Sequence, residues 1–407
     1  MRLTLVAILL ACCGALCAFE PPQDGYELHE WGVFPVARND AWAMRDLRAE
    51  WATFPKFFNR VWPEKSLPWR GEVSKPVIFM YAAKSQTIDL KVSFATGRPL
   101  VWWPYAESPG DTGRKFPDGD PRELKFHFSL NKGLGGEKLE APPAVEAGHW
   151  VEILRKVGAA SVNTMGDYRE MQVHTSGAER FIYYDGIMKA PPAPEVARDG
   201  EALAIKTACD HAMLDVLVIE RRGDKVFVSK AFLDKIEAGT QSSKVELALA
   251  DAKALEALQK ELTARLVKAG LTEPEADSLM KVWKEGLFDA DGLMLLYRLP
   301  QETYEKWLPL TAKPAPNKTV RVGLVVHKHL EPELEARVTV LIAKLKAEAF
   351  EERNAAFKEL LKIGGAAFPW LEKHLKDEDL DVAKQCRTVI EALDTFPALL
   401  DLLKKDQ

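Results

Sequence analysis

A chain of 407 residues, 47% hydrophobic and 28% charged, has ample material for a core and suggests two or three domains. Its net charge of −5 comes without a long Lys/Arg cluster, which speaks against a nucleic-acid groove or a face for anionic membranes. Three of the five cysteines (Cys12, Cys13 and Cys17) crowd the start; only Cys209 and Cys386 remain, too few for a disulfide framework and without a CxxC pair for zinc.

The first residues read as an export signal. Met1-Arg2 precedes an apolar run over residues 3–17, with small residues at Ala15 and Ala18. That is a basic n-region, an h-region and a cleavage site just before Phe19. The run is too short to stay in a bilayer as a spanning helix, and no later segment is long and apolar enough. The expectation is a signal peptide over residues 1–18 and a soluble product that is periplasmic or extracellular. Leu9-Leu10-Ala11-Cys12 also fits a bacterial lipobox, which would make Cys12 a lipid anchor.

Residues 19–244 read as mostly β. Over residues 88–94 apolar and polar side chains alternate strictly, as in a sheet with one buried face, and Leu124, Phe126, Phe128 and Leu130 repeat the pattern. Further runs lie at 76–81, 98–103, 179–184, 214–220 and 225–232, with Arg222-Gly223-Asp224 as a hairpin turn between the last two. Short strands with Gly- and Pro-rich connections point to an antiparallel, sandwich-like domain. Residues 40–58 read as a helix covering one face or edge.

The period changes over residues 245–318. Leu255, Leu258, Leu262 and Leu266 follow helical spacing, and Gly270 stands at a C-terminal cap. Thr272-Glu273-Pro274-Glu275 has the shape of a capping box. A second helix turns Leu279, Met280, Val282 and Trp283 inward, and a third spans residues 301–307. Residues 319–330 return to strand, so the helices read as an excursion from the β domain. Residues 331–407 are helical, with short one-sided helices whose apolar stripes need neighbours. The expected class is α+β multidomain, ending in an α-solenoid.

Two resemblances follow from these residues. Arg353, Ala356, Leu360, Gly364-Gly365, Pro369 and Leu371 in the tail resemble HEAT-like repeats, which implies contact with a protein partner. "YELHEWGVF", "KPVIFMY", "ERFIYYDG", "GLTEPEADSLMKVW" and "LPLTAKPAPNKTVRVGLVV", across residues 24–330, are similar to an uncharacterised family of exported bacterial proteins marked by its "HEWG" segment. Val33 stands where that family commonly has threonine. The resemblance implies no activity.

Chemistry candidates are few. On a strand His29 and Trp31 share one face and Glu30 points to the other, so His29 and Glu30 cannot act on each other. Either could serve a site with a neighbouring strand, or His29 could simply be hydrogen-bonded in a structural first strand. Eight of the 11 tryptophans lie between Trp31 and Trp150; Trp31, Trp102 and Trp103 are candidates for a ligand wall or for core. Asp111-Thr112-Gly113 occurs once, where an aspartic-protease dyad needs two, and reads as a turn. Glu107, Asp111, Asp118 and Asp120, and Asp289-Ala290-Asp291-Gly292, fit no calcium loop. His327 with His329, and Cys209 with His211, are further pairs, lacking a third metal ligand or a complete nucleophile arrangement.

No cofactor or metal is expected. The leading expectation is a non-enzymatic binding or scaffold protein that meets a partner through its tail. The alternative is an extracytoplasmic hydrolase of glycan or another polymer, using His29, Glu30 and Asp185 in a cleft of the β domain.

Overall fold

The computed structural model describes residues 22–36, 54–60, 71–106, 122–131, 141–164, 178–239, 242–288 and 292–394. The signal segment with Cys12, the loop with Asp111-Thr112-Gly113, Asp289 to Asp291 and residues 40–53 of the expected first helix lie outside them. The described end of that helix, residues 54–58, is a turn. Pro55 disfavours helical backbone before it, and Arg60 ties the turn by donating to the Phe54 and Pro55 carbonyls at 2.7 and 2.9 Å.

The fold is α+β. The first strands are β1 (Tyr26–Val36), β2 (Asn59–Arg60), β3 (Gly71–Ala82), β4 (Gln86–Ser93), β5 (Arg98–Trp103) and β6 (Glu123–Asn131). A short helix, α1 (Trp150–Arg155), precedes β7 (Ser161–Thr164), β8 (Ala178–Glu179), β9 (Ile182–Met188), β10 (Glu195–Asp199) and β11 (Ala202–Lys206). Next come β12 (Met213–Arg222), β13 (Lys225–Ser229), β14 (Leu233–Ile236) and β15 (Ser243–Ala250). Helices α2 (Ala252–Lys268) and α3 (Glu273–Phe288) lead into β16 (Gly292–Arg298), α4 (Gln301–Trp307), β17 (Leu310–Lys313) and β18 (Lys318–His327).

Among the described residues a 13-stranded sheet runs β10-β11-β15-β13-β12-β16-β18-β1-β3-β9-β5-β2, with β14 beside β12. Its two halves are each contiguous in sequence, one ending with β9 and the other beginning with β10. They join at β1 and β18, which run parallel; the neighbouring pairs β1–β3 and β16–β18 are antiparallel. A five-stranded sheet, β17-β4-β6-β7-β8, packs beside it.

The large sheet is covered on both faces. Trp31, Phe79, Trp103, Tyr183 and Val322 pack against α2 and α3 through Leu258, Leu262, Leu266 and Leu279. From the other face Phe34, Met80, Trp102, Tyr184 and Val325 meet Ile88, Leu90, Phe126 and Phe128 of the smaller sheet. Adjacent Trp102 and Trp103 are therefore both buried, on opposite sides of one strand. In the smaller sheet the alternation holds: Ile88, Leu90 and Val92 face the core, and Asp89 faces water.

Residues 245–318 are more than a helical excursion, because they hold the end of β15, all of β16 and β17. Buried on both faces, β16 carries the unbroken apolar run Leu-Met-Leu-Leu-Tyr and shows no period-2 signal. The capping box forms: the Thr272 N–H donates to the Glu275 carboxylate at 2.6 Å, and the Glu275 N–H donates to Thr272 Oγ1 at 3.3 Å. The β12–β13 hairpin turns at Gly223, with φ of 60°.

The tail holds α5 (Leu334–Lys344), α6 (Phe350–Ile363), α7 (Phe368–Lys373) and α8 (Leu380–Asp394). These share a core of their own, with Val338, Leu360, Leu371, Cys386 and Val389 all buried. Gly364 ends α6 with φ of 67°, and Pro369 occupies the first turn of α7, where its missing N–H costs least. Lys358, Lys373 and Lys376 face solvent.

Candidate functional site

The residues singled out in the sequence are buried. His29 is packed between the large sheet and α3, its Nδ1 3.0 Å from Glu275 and its Nε2 3.4 Å from Glu27. It thereby ties the first strand to the capping box of α3. Glu30 lies on the opposite face: Arg321 Nε donates to it at 2.6 Å, and the Tyr184 hydroxyl donates to its second oxygen. Burial, reinforced by the Glu30 charge, pushes the Tyr184 phenol well above its ordinary range. Asp185 accepts from the Tyr183 hydroxyl at 2.9 Å, on the face of His29 and away from Glu30. His29, Glu30 and Asp185 thus do not meet at one cleft. Trp31, Trp102 and Trp103 are core residues at 0–1% exposure.

Gly32 and Gly323 lie side by side on β1 and β18. A Cβ on Gly32 would stand 2.9 Å from the Tyr304 hydroxyl, and one on Gly323 3.1 Å from the Tyr304 ring. The two glycines therefore make the slot in which α4 plants Tyr304. Trp307, one turn further along α4, is fixed edge-on by Phe34 at 5.6 Å and reaches beyond the sheet.

The open site lies there. A cleft of about 1310 Å³ opens at the carboxyl ends of β1 and β18, where Val36 and His327 form its floor. Met188 and the Pro191-Pro192 segment flank it, and Trp307 lines it from α4. The opposite wall is the tail, through Glu335, Pro369 and Trp370. The tail is held in place by Arg198, which donates to Glu333 at 2.9 Å and also pairs with Glu220. The Leu330 N–H donates to the Leu293 carbonyl at 2.9 Å.

Polar groups from distant parts of the chain converge beneath this floor. His211, in the loop before β12, holds Asp210 through Nδ1 at 3.0 Å and the Tyr297 hydroxyl through Nε2 at 3.2 Å. Burial, with the neighbouring Cys209, drives the Tyr297 phenol well above its ordinary range. Burial also raises the Cys209 thiol, whose Sγ contacts the Pro192 carbonyl at 3.6 Å; both effects keep it protonated, the reverse of an activated nucleophile. The His327 ring stacks on Tyr297 with centroids 5.9 Å apart and planes 18° apart. Burial, and then the proximity of His211, lowers His327 to about 3, so the ring is neutral.

Two pairs noticed in the sequence, Cys209 with His211 and His327 with His329, thus belong to one neighbourhood. Neither pair shares a strand face: Cys209 and His211 sit in a loop, and β18 ends at His327, with His329 in left-handed backbone (φ 57°). No group of three His, Cys, Asp or Glu gathers for a metal among the described residues. Trp307 and Trp370 carried no signal beyond helical spacing, because only the packing of tail against sheet brings them to one cleft. No described helix is long and apolar enough to cross a membrane. No protein-family model matches the chain, and no curated protein sequence matches it.

Proposed function

We propose that this is a non-catalytic binding protein that holds a ligand between its sheets and its helical tail. The cleft carries the reading: it is large enough for a small organic ligand, and Trp307, Trp370 and several prolines share its walls with polar and charged side chains. The enclosure of His29, Glu30 and Asp185 in packing supports binding over the glycan-hydrolase alternative.

The tail is read as a short HEAT-like α-solenoid, supported by the stacking of one-sided helices around a private core. It serves here as one wall of the cleft and as a contact surface for a protein partner. Phe350 and Leu380, at the starts of α6 and α8, are 65% and 80% exposed and suit such a contact. The protein works outside the cytoplasm, either free after removal of residues 1–18 or anchored at Cys12. Intact-mass measurement of the exported species separates the two, and an uncleaved chain overturns both.

Binding itself is tested on the full mature chain by tryptophan fluorescence against panels of oligosaccharides and short peptides. Saturable quenching with the ligand recovered chemically unchanged is expected. Products of hydrolysis in the recovered ligand would overturn the non-catalytic reading.

A further inference from the structure

The geometry points to a neutral, hydroxyl-bearing ligand of the carbohydrate type, anchored on His327 with Trp307 as its platform. This rests on the binding reading above and names the class of ligand.

His327 is 1% exposed, lines the cleft, and has no hydrogen-bond partner on either ring nitrogen among the described residues. A buried polar group left unsatisfied costs about 1–3 kcal/mol, so such groups persist mainly where a ligand or water completes them. The groups around it are already engaged: His211 by Asp210 and Tyr297, and Cys209 by the Pro192 carbonyl. Tyr297, stacked behind the ring, fixes its orientation. Among the described residues lining the cleft, His327 has both ring nitrogens without a hydrogen-bond partner; Glu331 Oε2 is a further such atom.

The chemistry of that partner follows from charge. A desolvated imidazole with a second histidine nearby stays uncharged and presents one N–H and one lone pair. It gives an anion no charge to pair with. Lysines and a larger number of acids are interspersed around the cleft, so the lining does not collect anions either. A hydroxyl, which both donates and accepts, matches either nitrogen.

Rings share the walls with these charged side chains. Trp307 is half-buried and held edge-on by Phe34 and by His211, at 5.6 and 5.3 Å. Trp370 and Pro369 face it from the tail, and Pro191 and Pro192 close one side. Apolar rings beside the neutral His327 and a polar lining of mixed charge fit a sugar ring, which packs its C–H face on an aromatic while its hydroxyls seek partners.

The test uses the full mature chain with four probes: cellobiose and maltose as neutral sugars, glucuronate as an acid and glucosamine as a cation. Binding is followed by tryptophan fluorescence and by the side-chain nitrogen resonances of histidine. A neutral sugar should shift the His327 resonances and quench tryptophan. His327→Phe should weaken it roughly three- to tenfold, the loss of one neutral hydrogen bond. His327→Gln keeps a donor and an acceptor and should retain most of the affinity, which separates recognition from loss of fold. If glucuronate or glucosamine fills the cleft and neutral sugars do not, the ligand class falls and the binding reading stands. If neutral sugars leave the His327 resonances unmoved, with water its only partner, the proposal is overturned.

Discussion

The carboxylate of Glu30 and the guanidinium of Arg321 lie 2.6 Å apart in the middle of the large sheet, and neither is more than 2% exposed. Arg321 also donates to the Leu308 carbonyl at 2.7 Å and lies over the Tyr304 ring, its guanidinium carbon 4.3 Å from the centroid. Removing one member leaves a buried charge alone. Glu30→Ala or Arg321→Ala should each cost about 3–5 kcal/mol in denaturant unfolding. The double change Glu30→Leu with Arg321→Met should recover much of that, since apolar replacement of a whole buried pair is often neutral. A double variant no more stable than the singles would show that the site depends on charge for more than packing.

His327 should make stability fall in acid. Its ordinary value is 6.5 and burial lowers it to about 3 in the folded chain. Between those values the unfolded chain takes up a proton that the folded chain refuses. The contribution is thus complete above pH 6.5 and is lost as pH drops toward 3. Its size is at most about 5 kcal/mol. Tyr297 and Cys209 are raised, while the hydrogen bond from His211 lowers Asp210. His327→Gln should flatten the acid slope of the unfolding free energy; equal slopes would remove His327 as the cause.

Gly32→Ala tests the slot for Tyr304. The new methyl would lie 2.9 Å from the Tyr304 hydroxyl and 3.3 Å from the Pro76 backbone. Overpacking of this kind costs about 1–3 kcal/mol. Adding Tyr304→Phe deletes the hydroxyl and should restore part of the loss. A Gly32→Ala protein with wild-type melting would place the slot elsewhere.

Leu360 is fully buried in the tail core. Leu360→Ala should cost about 2–5 kcal/mol, as large-to-small core changes do. Unfolding of the full chain should then show the tail melting before the sheets. Unchanged melting would contradict the separate tail core.

What the sequence made legible follows from which interactions are local. The strands over residues 88–94 and 124–130, the capping box at Thr272 and Glu275, and the break at Gly364 all rest on neighbours a few positions apart. β16 was hidden because burial on both faces erases alternation. The cleft was hidden because His211, His327, Trp307 and Trp370 come from four separate elements. The opposite faces of His29 and Glu30 were readable from strand geometry; their partners Glu275 and Arg321, 246 and 291 positions away, were not.

The parallel seam between β1 and β18 joins the two ends of the sheet-forming chain. β1 is the first strand to be synthesised, and its neighbour is the last strand before the tail. Each half of the large sheet can pair its own strands as it emerges, but one edge of β1 keeps open backbone groups until residue 327 is made. Closing that edge waits on a contact of long sequence separation, the kind that slows folding. The cleft, built at the end of that seam, comes into being only when the halves have met.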